Sequence, residues 1–387
     1  MSAISSLSSF LQNLSLVQTS QNNIAKLTYQ VDTGLKSEDL QGYGIQANQL
    51  LNLQSAQTTE QNYVSNNTQS QTIVSAYDTT LGQIKSDATT LSASLDAFTV
   101  TDPDAVTNLQ ALVSSLQVDV SATLNTQVGD RYIYGGTRYS TAPVGDLSQL
   151  PAPTFVTPAT TPPTVTPLTV ALLPAPNPQT TPTATPALPP YDAQAAVVNS
   201  TSPAPTAAEV ATATQSYATQ TTAIANNQTT TYGVSSNNPT FQHLIYALQC
   251  AQAAASTDTS TAAGVANQAA LIKQATSEVS IALNGSPAVA AVPASAGPPA
   301  VAAVSAVAQV DSLQSLQDQN GTADLALTNA NTVHNQTLAT LQSQITTITQ
   351  VDPATVAAEL SAAQTQLEGS YKVVSSVLSD TLLNYLK

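Results

Sequence analysis

The chain has 387 residues, a length that accommodates two or more domains. Only 8% of its residues are charged, and 23 acidic against 8 basic residues give a net charge of −15. So few cations cannot neutralise many phosphates, which argues against nucleic acid as a partner and against a polybasic contact with a membrane.

The amino terminus does not have the pattern of a cleaved secretory signal. "MSAISSLSSFLQNLSLVQTS" has no basic region, since the first lysine is Lys26, and no continuous apolar segment. No apolar run is long enough to cross a bilayer, so we expect no membrane insertion. Cys250 is the single cysteine, which excludes an internal disulfide, and its apolar surroundings place the thiol in a packed core.

Apolar residues at three- and four-residue intervals predict a long amphipathic or coiled-coil helix at the start of the chain. They are Ile4, Leu7, Leu11, Leu14, Val17, Ile24, Leu27 and Val31. Glycines within residues 32–44 predict a loop after this helix. A second helix is predicted over residues 45–98. A third begins after Asp102, an N-cap that precedes Pro103, and presents an apolar face over residues 106–124.

The stretch "GDRYIYGGTRYSTAPV", residues 129–144, differs from the chain around it because it holds both arginines and three tyrosines. The hydrophobic period changes here from 3.6 to 2, which predicts a short strand with a turn or bulge at Gly135 and Gly136.

Most of the 23 prolines lie between residues 143 and 205, where a helix cannot form and polyproline II or short edge strands are expected. Helical rhythm is predicted again over residues 207–228. Asn238 followed by Pro239 marks the start of a further helix. Residues 286–306 form a second Pro/Ala-rich break of low complexity.

The last third of the chain is predicted to be helical. One helix covers residues 313–348, and a final helix follows the Asp352–Pro353 start signal. The apolar stripe of the final helix consists of Val356, Leu360, Ala363, Leu367, Tyr371, Val374, Leu378 and Leu382. Since apolar stripes at both ends of the chain need a cover, we expect them to be buried against other copies or other proteins.

No catalytic or metal-binding constellation is visible. His243 and His334 lie in different helical segments without a cysteine or carboxylate at metal-ligand spacing, and a surface or capping role is expected for both. The segment "GDRYIYGG" lacks the Gly-Lys-Ser/Thr of a phosphate loop. We therefore predict a protein that is not an enzyme and that uses no cofactor and no metal.

Three segments resemble the bacterial flagellin family, and within it the hook–filament junction proteins. That branch carries Gly-Arg-Tyr-(Leu/Ile)-Phe-x-Gly followed by Thr-x-x-Pro-Phe. The matching residues here are Gly129, Arg131, Tyr132, Ile133, Tyr134, Gly136, Thr141 and Pro143. The departures are an inserted Asp130, Tyr134 in place of Phe, and Val144 in place of the final Phe.

The two other similar segments lie near the chain ends. "QTQLEGSYKVVSSVLSDTLLNYLK", residues 364–387, is similar to the family's C-terminal Gln-x-x-Leu-x-Ala-Ser-Tyr pattern, including Ser370 and Tyr371. "VDTGLK", residues 31–36, is similar to the family's Ser-Gly turn, although "EDLQGYGIQA" replaces the acidic Asp-Asp-Pro-Ala stretch that normally follows. The resemblance covers roughly residues 1–140 and 310–387.

The resemblance implies a structural subunit of the flagellum that assembles with other copies through its terminal helices. It implies contacts with other flagellar axial proteins, namely hook-associated protein and flagellin, and with an export chaperone. It also implies an extracellular location, reached by export without a cleaved signal peptide. The expected assembly interface consists of Ile4, Leu7, Leu11, Leu14, Val17, Ile24, Leu27, Val356, Leu360, Leu367, Tyr371, Val374, Leu378 and Leu382.

The predicted fold is mainly α, with a long coiled-coil or helical-bundle shaft formed by both termini and a Pro/Thr-rich middle domain that is partly β or irregular. The terminal coiled-coil segments are residues 1–44 and 350–387. The helical shaft takes residues 45–142 and 238–349, and the outer domain takes residues 143–237.

Arg131, Tyr132, Tyr134 and Arg138 are expected at the junction of shaft and outer domain. There the tyrosines would close the core, while the arginines either pair with carboxylates or lie exposed. Two other functions stay open on the sequence: the filament-forming flagellin itself, and a Thr/Pro-rich surface adhesin or stalk protein.

Overall fold

The computed structural model describes residues 2–100, 102–136, 139–140, 142–149, 155–156, 164–165, 220–287 and 309–385. The described chain is mainly α-helical, as predicted. Its helices are α1 (Ser2–Thr33), α2 (Ala47–Asp96), α3 (Pro103–Leu124), α4 (Pro239–Ala255), α5 (Ala262–Asn284), α6 (Leu313–Thr349) and α7 (Pro353–Tyr385). Its strands are β1 (Gln127–Val128), β2 (Arg131–Tyr132), β3 (Phe155–Val156), β4 (Thr164–Val165), β5 (Gln220–Ala225) and β6 (Gln228–Tyr232). Short 3₁₀ turns occupy Leu40–Gln46, Ile133–Gly135 and Leu147–Gln149.

The predicted helix starts are confirmed by their capping bonds. The Asp102 side chain accepts a hydrogen bond from the backbone N–H of Asp104 at 3.0 Å, directly before Pro103. The Asn238 side chain accepts from Thr240 N–H at 2.9 Å. Each cap satisfies an amide that has no partner inside the helix, which fixes where the helix begins.

The described chain divides into two compact units, residues 1–64 with 332–387 and residues 65–331. In the first unit, α1 packs along α7. Leu35, just after α1, forms an antiparallel bridge with Gln350, just before α7. Further along the pair, the Gln21 amide donates to the Tyr371 hydroxyl at 2.7 Å. The two terminal helices therefore run antiparallel.

The second unit contains the main core, built from α2, α3, α4, α5 and α6. The helix α4 packs on both α3 and α5. The predicted apolar face of α3 is confirmed, and α2 presents a similar face, since the core positions of both helices are buried. These are Val74, Tyr77, Leu81, Ile84, Ala88, Leu91 and Leu95 of α2, and Leu109, Val113, Leu116, Val120 and Leu124 of α3.

Two sequence interpretations need correction in this unit. Helical rhythm was expected up to residue 228, but residues 220–232 form the antiparallel hairpin β5–β6. The β-branched residues of "QTTAIANNQTTTY" suit a strand, and Asn227 adopts φ +58°, as a tight hairpin turn requires. The helix α5 lies within the predicted helical shaft but was not predicted as a separate helix, although Thr261 caps its start and Gly285 follows its end.

The predicted outer domain lies mostly outside the described residues, as do residues 207–219 of the expected helix and most of the second Pro/Ala-rich break. The three predicted domains therefore stay a prediction.

Candidate assembly surface and junction segment

The stripes of the terminal helices meet each other over part of their length. Val17 and Leu27 of α1 and Val356 of α7 are buried. Ile24, and Leu360, Leu367 and Val374 of α7, are half-buried. These positions lie three, four or seven residues apart on each helix, which keeps them on one face, so one face of α1 covers one face of α7.

Other predicted interface residues are not covered within the chain. Leu11 is 56% exposed, Leu14 is 50% exposed and Tyr371 is 47% exposed. Leu16 and Val373, which sequence reasoning did not single out, are 57% and 55% exposed. The side chains of Ile4, Leu7, Leu378 and Leu382 lie outside the described residues. Leu11 and Leu14 are neighbours on one side of α1, and exposed apolar side chains grouped in this way mark surfaces that other molecules cover.

Residues 129–144, here called the junction segment, supply one tyrosine to the centre of the second unit. The Tyr134 side chain is fully buried and contacts Tyr77 and Phe241 edge-to-face, with ring centroids 5.1 and 5.6 Å apart. Its hydroxyl lies 2.7 Å from the Thr80 hydroxyl. Burial raises the pKa of Tyr134 above its usual range, so the phenol stays neutral. Tyr134 therefore belongs to the core of the second unit, whereas its place at a junction of shaft and outer domain stays a prediction.

The rest of the segment is less regular than predicted. Of its described residues, only Arg131 and Tyr132 form a strand, because Ile133–Gly135 continue as a 3₁₀ turn that ends at Gly136 with φ +58°. Tyr132 is half-buried, and its backbone N–H donates to Tyr139 O at 2.8 Å.

Of the two alternatives left open for the arginines, pairing with a carboxylate is not seen for Arg131. Its guanidinium carbon instead lies 5.0 Å from the ring centroid of Tyr139, a cation–π arrangement. Among the described residues Arg131 forms no ion pair. Arg138 lies outside the described residues.

The side chain of each histidine contacts the carboxylate of a glutamate that is distant in sequence. His334 Nδ1 lies 2.5 Å from Glu60 Oε2, and the Tyr63 ring stacks on the imidazole at 5.1 Å. His243 Nδ1 pairs with Glu278. The expected surface role is wrong for His334, which is only 5% exposed. No local signal could have shown this pair, because its members are 274 residues apart.

Cys250 is buried, as predicted, and burial raises the pKa of its thiol to about 12. Within the described residues, no group of three or more His, Cys, Asp or Glu side chains could hold a metal ion. No described helix is both long and apolar enough to cross a membrane.

Comparison with known proteins does not assign the chain to a family. No protein-family model matches the chain, and no curated protein matches it significantly.

Proposed function

We propose that the chain is a self-assembling structural subunit of the bacterial flagellum, most similar to the hook–filament junction proteins of the flagellin family. The observation that carries the proposal is the antiparallel pairing of the two terminal helices, which leaves part of their shared apolar stripe uncovered. A subunit whose two ends form one element with a free apolar face is suited to packing against copies of itself.

The spacing of the covered residues supports a coiled-coil shaft in the assembled state. Val17, Ile24 and Leu27 follow the heptad pattern on α1, and the stripe from Val356 to Val374 follows it on α7. In this proposal the Pro/Thr-rich residues 143–237 form an outer domain that faces solvent, because proline-rich segments contribute little to a core.

The uncovered leucines supply a driving force for assembly. Leu11, Leu14 and Leu16 are each at least half exposed. Covering the exposed half of one leucine contributes on the order of 1 kcal/mol, so the three together contribute about 3 kcal/mol per copy. Repeated along a filament, such a contribution stabilises the assembly although each contact is modest.

The proposal includes export without a cleaved signal peptide and contacts with the neighbouring axial proteins, hook-associated protein and flagellin. The Gly129–Pro143 match favours the junction protein over the filament subunit. The number of copies per flagellum separates these two roles, since a filament subunit is made in very large excess.

The test is electron microscopy and sedimentation of the purified chain under assembly conditions. The double variant Leu11→Ser/Leu14→Ser should remain a helical monomer and form no filaments. Leu325→Ser is the matched control, because Leu325 is a helical leucine that is 64% exposed and lies outside the stripe. Filaments from the double variant, or equal loss in the control, would contradict the proposed interface.

A truncation gives a second test of the same element. Chains lacking residues 1–30 or 360–387 should not assemble, whereas replacing residues 150–200 with a short Gly/Ser linker should leave assembly intact. Filaments from either terminal truncation would show that the terminal helices are not the assembly element.

A further inference from the structure

A polar cleft of about 560 Å³ lies in the second unit, between the start of its α2 segment, the junction segment and strand β5. Its volume falls within the range of small-molecule sites. Amide and hydroxyl side chains dominate the lining, among them Gln69, Ser70 and Thr222, and Arg131 is the cation. No acidic residue is found among the described lining residues, in a chain with 23 acidic residues.

Two donors in this cleft lack acceptors within the described part of the chain. The Arg131 guanidinium makes no ion pair there, and the Tyr139 ring lies against it. The Gln220 Nε2 group is buried and has no hydrogen-bond partner. A donor that lines a cleft without an acceptor is stabilised by a ligand that supplies one, and for the Arg131 guanidinium that ligand is an anion.

From these observations we propose that the cleft binds a carboxylated, hydroxyl-rich ligand, namely an acidic sugar of the uronic acid type. The planar guanidinium binds a carboxylate through two parallel hydrogen bonds. The amide and hydroxyl side chains match the sugar hydroxyls, which both donate and accept.

The charge of the cleft favours a carboxylate over a phosphate. A phosphate carries close to two negative charges at neutral pH, and among the described lining residues Arg131 is the only cation to balance them. A single carboxylate matches a single guanidinium. This inference does not depend on the assembly role, since the cleft is formed within one copy of the chain.

The experiment is ligand-observed NMR with isothermal titration calorimetry on the full chain, with glucuronate as probe. Glucose, acetate and inorganic phosphate are the comparison ligands. We expect glucuronate to bind with a dissociation constant on the order of 1 mM, as a monosaccharide-sized ligand in an open site does. Glucose should bind at least tenfold more weakly, because it lacks the carboxylate.

Variants locate the binding. Arg131→Gln should weaken glucuronate binding at least tenfold, and Lys85→Gln should not change it. Lys85 lies outside the cleft against Gln314, so both variants remove one positive charge from the same unit. Thr221→Tyr should also block binding, because Thr221 is an exposed strand residue that lines the cleft and tyrosine suits a strand. Far-UV circular dichroism checks that each variant is folded.

Three results would overturn the assignment. The first is that glucuronate does not bind at a concentration of about 10 mM, tenfold above the expected dissociation constant. The second is that acetate or phosphate binds as tightly as glucuronate. The third is that the folded Arg131→Gln and Thr221→Tyr variants bind glucuronate as tightly as the unmodified chain. A tri-galacturonate probe separates the possible sources. If the trimer binds more tightly than the monosaccharide glucuronate, the natural ligand is an acidic polysaccharide. If the two bind equally, the natural ligand is the free sugar.

Discussion

Replacing Tyr134 with alanine should strongly destabilise the second unit. Tyr134 is 0% exposed and lies between Tyr77 of α2 and Phe241 of α4, so a single ring connects two helices to the junction segment. Removing the ring leaves a cavity between α2 and α4. Because both helices are held by other core contacts, they cannot move together to fill it.

The magnitude follows from the contacts that are lost. Truncation of a fully buried aromatic side chain costs about 3–5 kcal/mol. The two edge-to-face pairs place the value in the upper part of that range, since each contributes about 0.5–1.5 kcal/mol beyond burial. No donor is left unsatisfied, because the Thr80 hydroxyl also reaches Ala76 O at 2.8 Å. We therefore expect about 4 kcal/mol for Tyr134→Ala and about 1 kcal/mol for Tyr134→Phe.

The assay is urea unfolding followed by far-UV circular dichroism, with Tyr139→Ala as the matched control. Tyr139 lies five residues later in the same segment but is 49% exposed, and its main contact is with the Arg131 guanidinium. We expect this control to cost less than about 1 kcal/mol. If Tyr134→Ala cost no more than the control, the central role assigned to Tyr134 would be wrong.

Three further predictions concern single side chains. Burial raises the pKa of the Asp87 carboxyl, which is only 6% exposed, so the ionised carboxylate opposes folding. The free energy of unfolding therefore falls as pH rises from the unfolded-state pKa of about 3.9 through the higher folded-state pKa. Asp87→Asn should therefore stabilise the chain at pH 7 and leave its stability unchanged near pH 3, measured as urea midpoints across that range. Cys250, with its raised pKa and full burial, should resist thiol reagents at pH 8 and react completely once the chain is unfolded; ready labelling of the native chain would contradict this. Gly233→Ala should cost about 3 kcal/mol, because Gly233 has φ +84° and a Cβ there would lie 2.8 Å from the Tyr77 hydroxyl oxygen. Gly129→Ala, with φ +61° and no atom within 4 Å, should cost only about 1 kcal/mol, and equal losses in the two variants would refute the steric argument.

Helix starts and buried helix faces were predictable because their causes are local. The caps at Asp102 and Asn238 bond to amides two residues away. The apolar period of α3 alone indicates which of its residues face the core. Prediction from apolar periodicity failed for the helix α5. Its sequence is rich in alanine, so its apolar period is weaker than those of the neighbouring helices.

The hairpin over residues 220–232 was missed for a related reason. Alanine and glutamine upstream suggested a helix, whereas the β-branched threonines and the Asn226–Asn227 turn favoured strands. Its inner residues, such as Ile224, pack on the helical core, and this packing decides between two weak local preferences.

What the sequence by itself determined is therefore the helical class, the main helix starts and the two terminal stripes, because each depends on groups a few residues apart. Only the tertiary structure decided that Tyr134 is buried while Tyr139 is exposed, that His334 meets Glu60, and that Arg131 faces a cleft instead of a carboxylate. These contacts join segments that are far apart in the chain, and packing of the whole unit selects which of several similar side chains is enclosed.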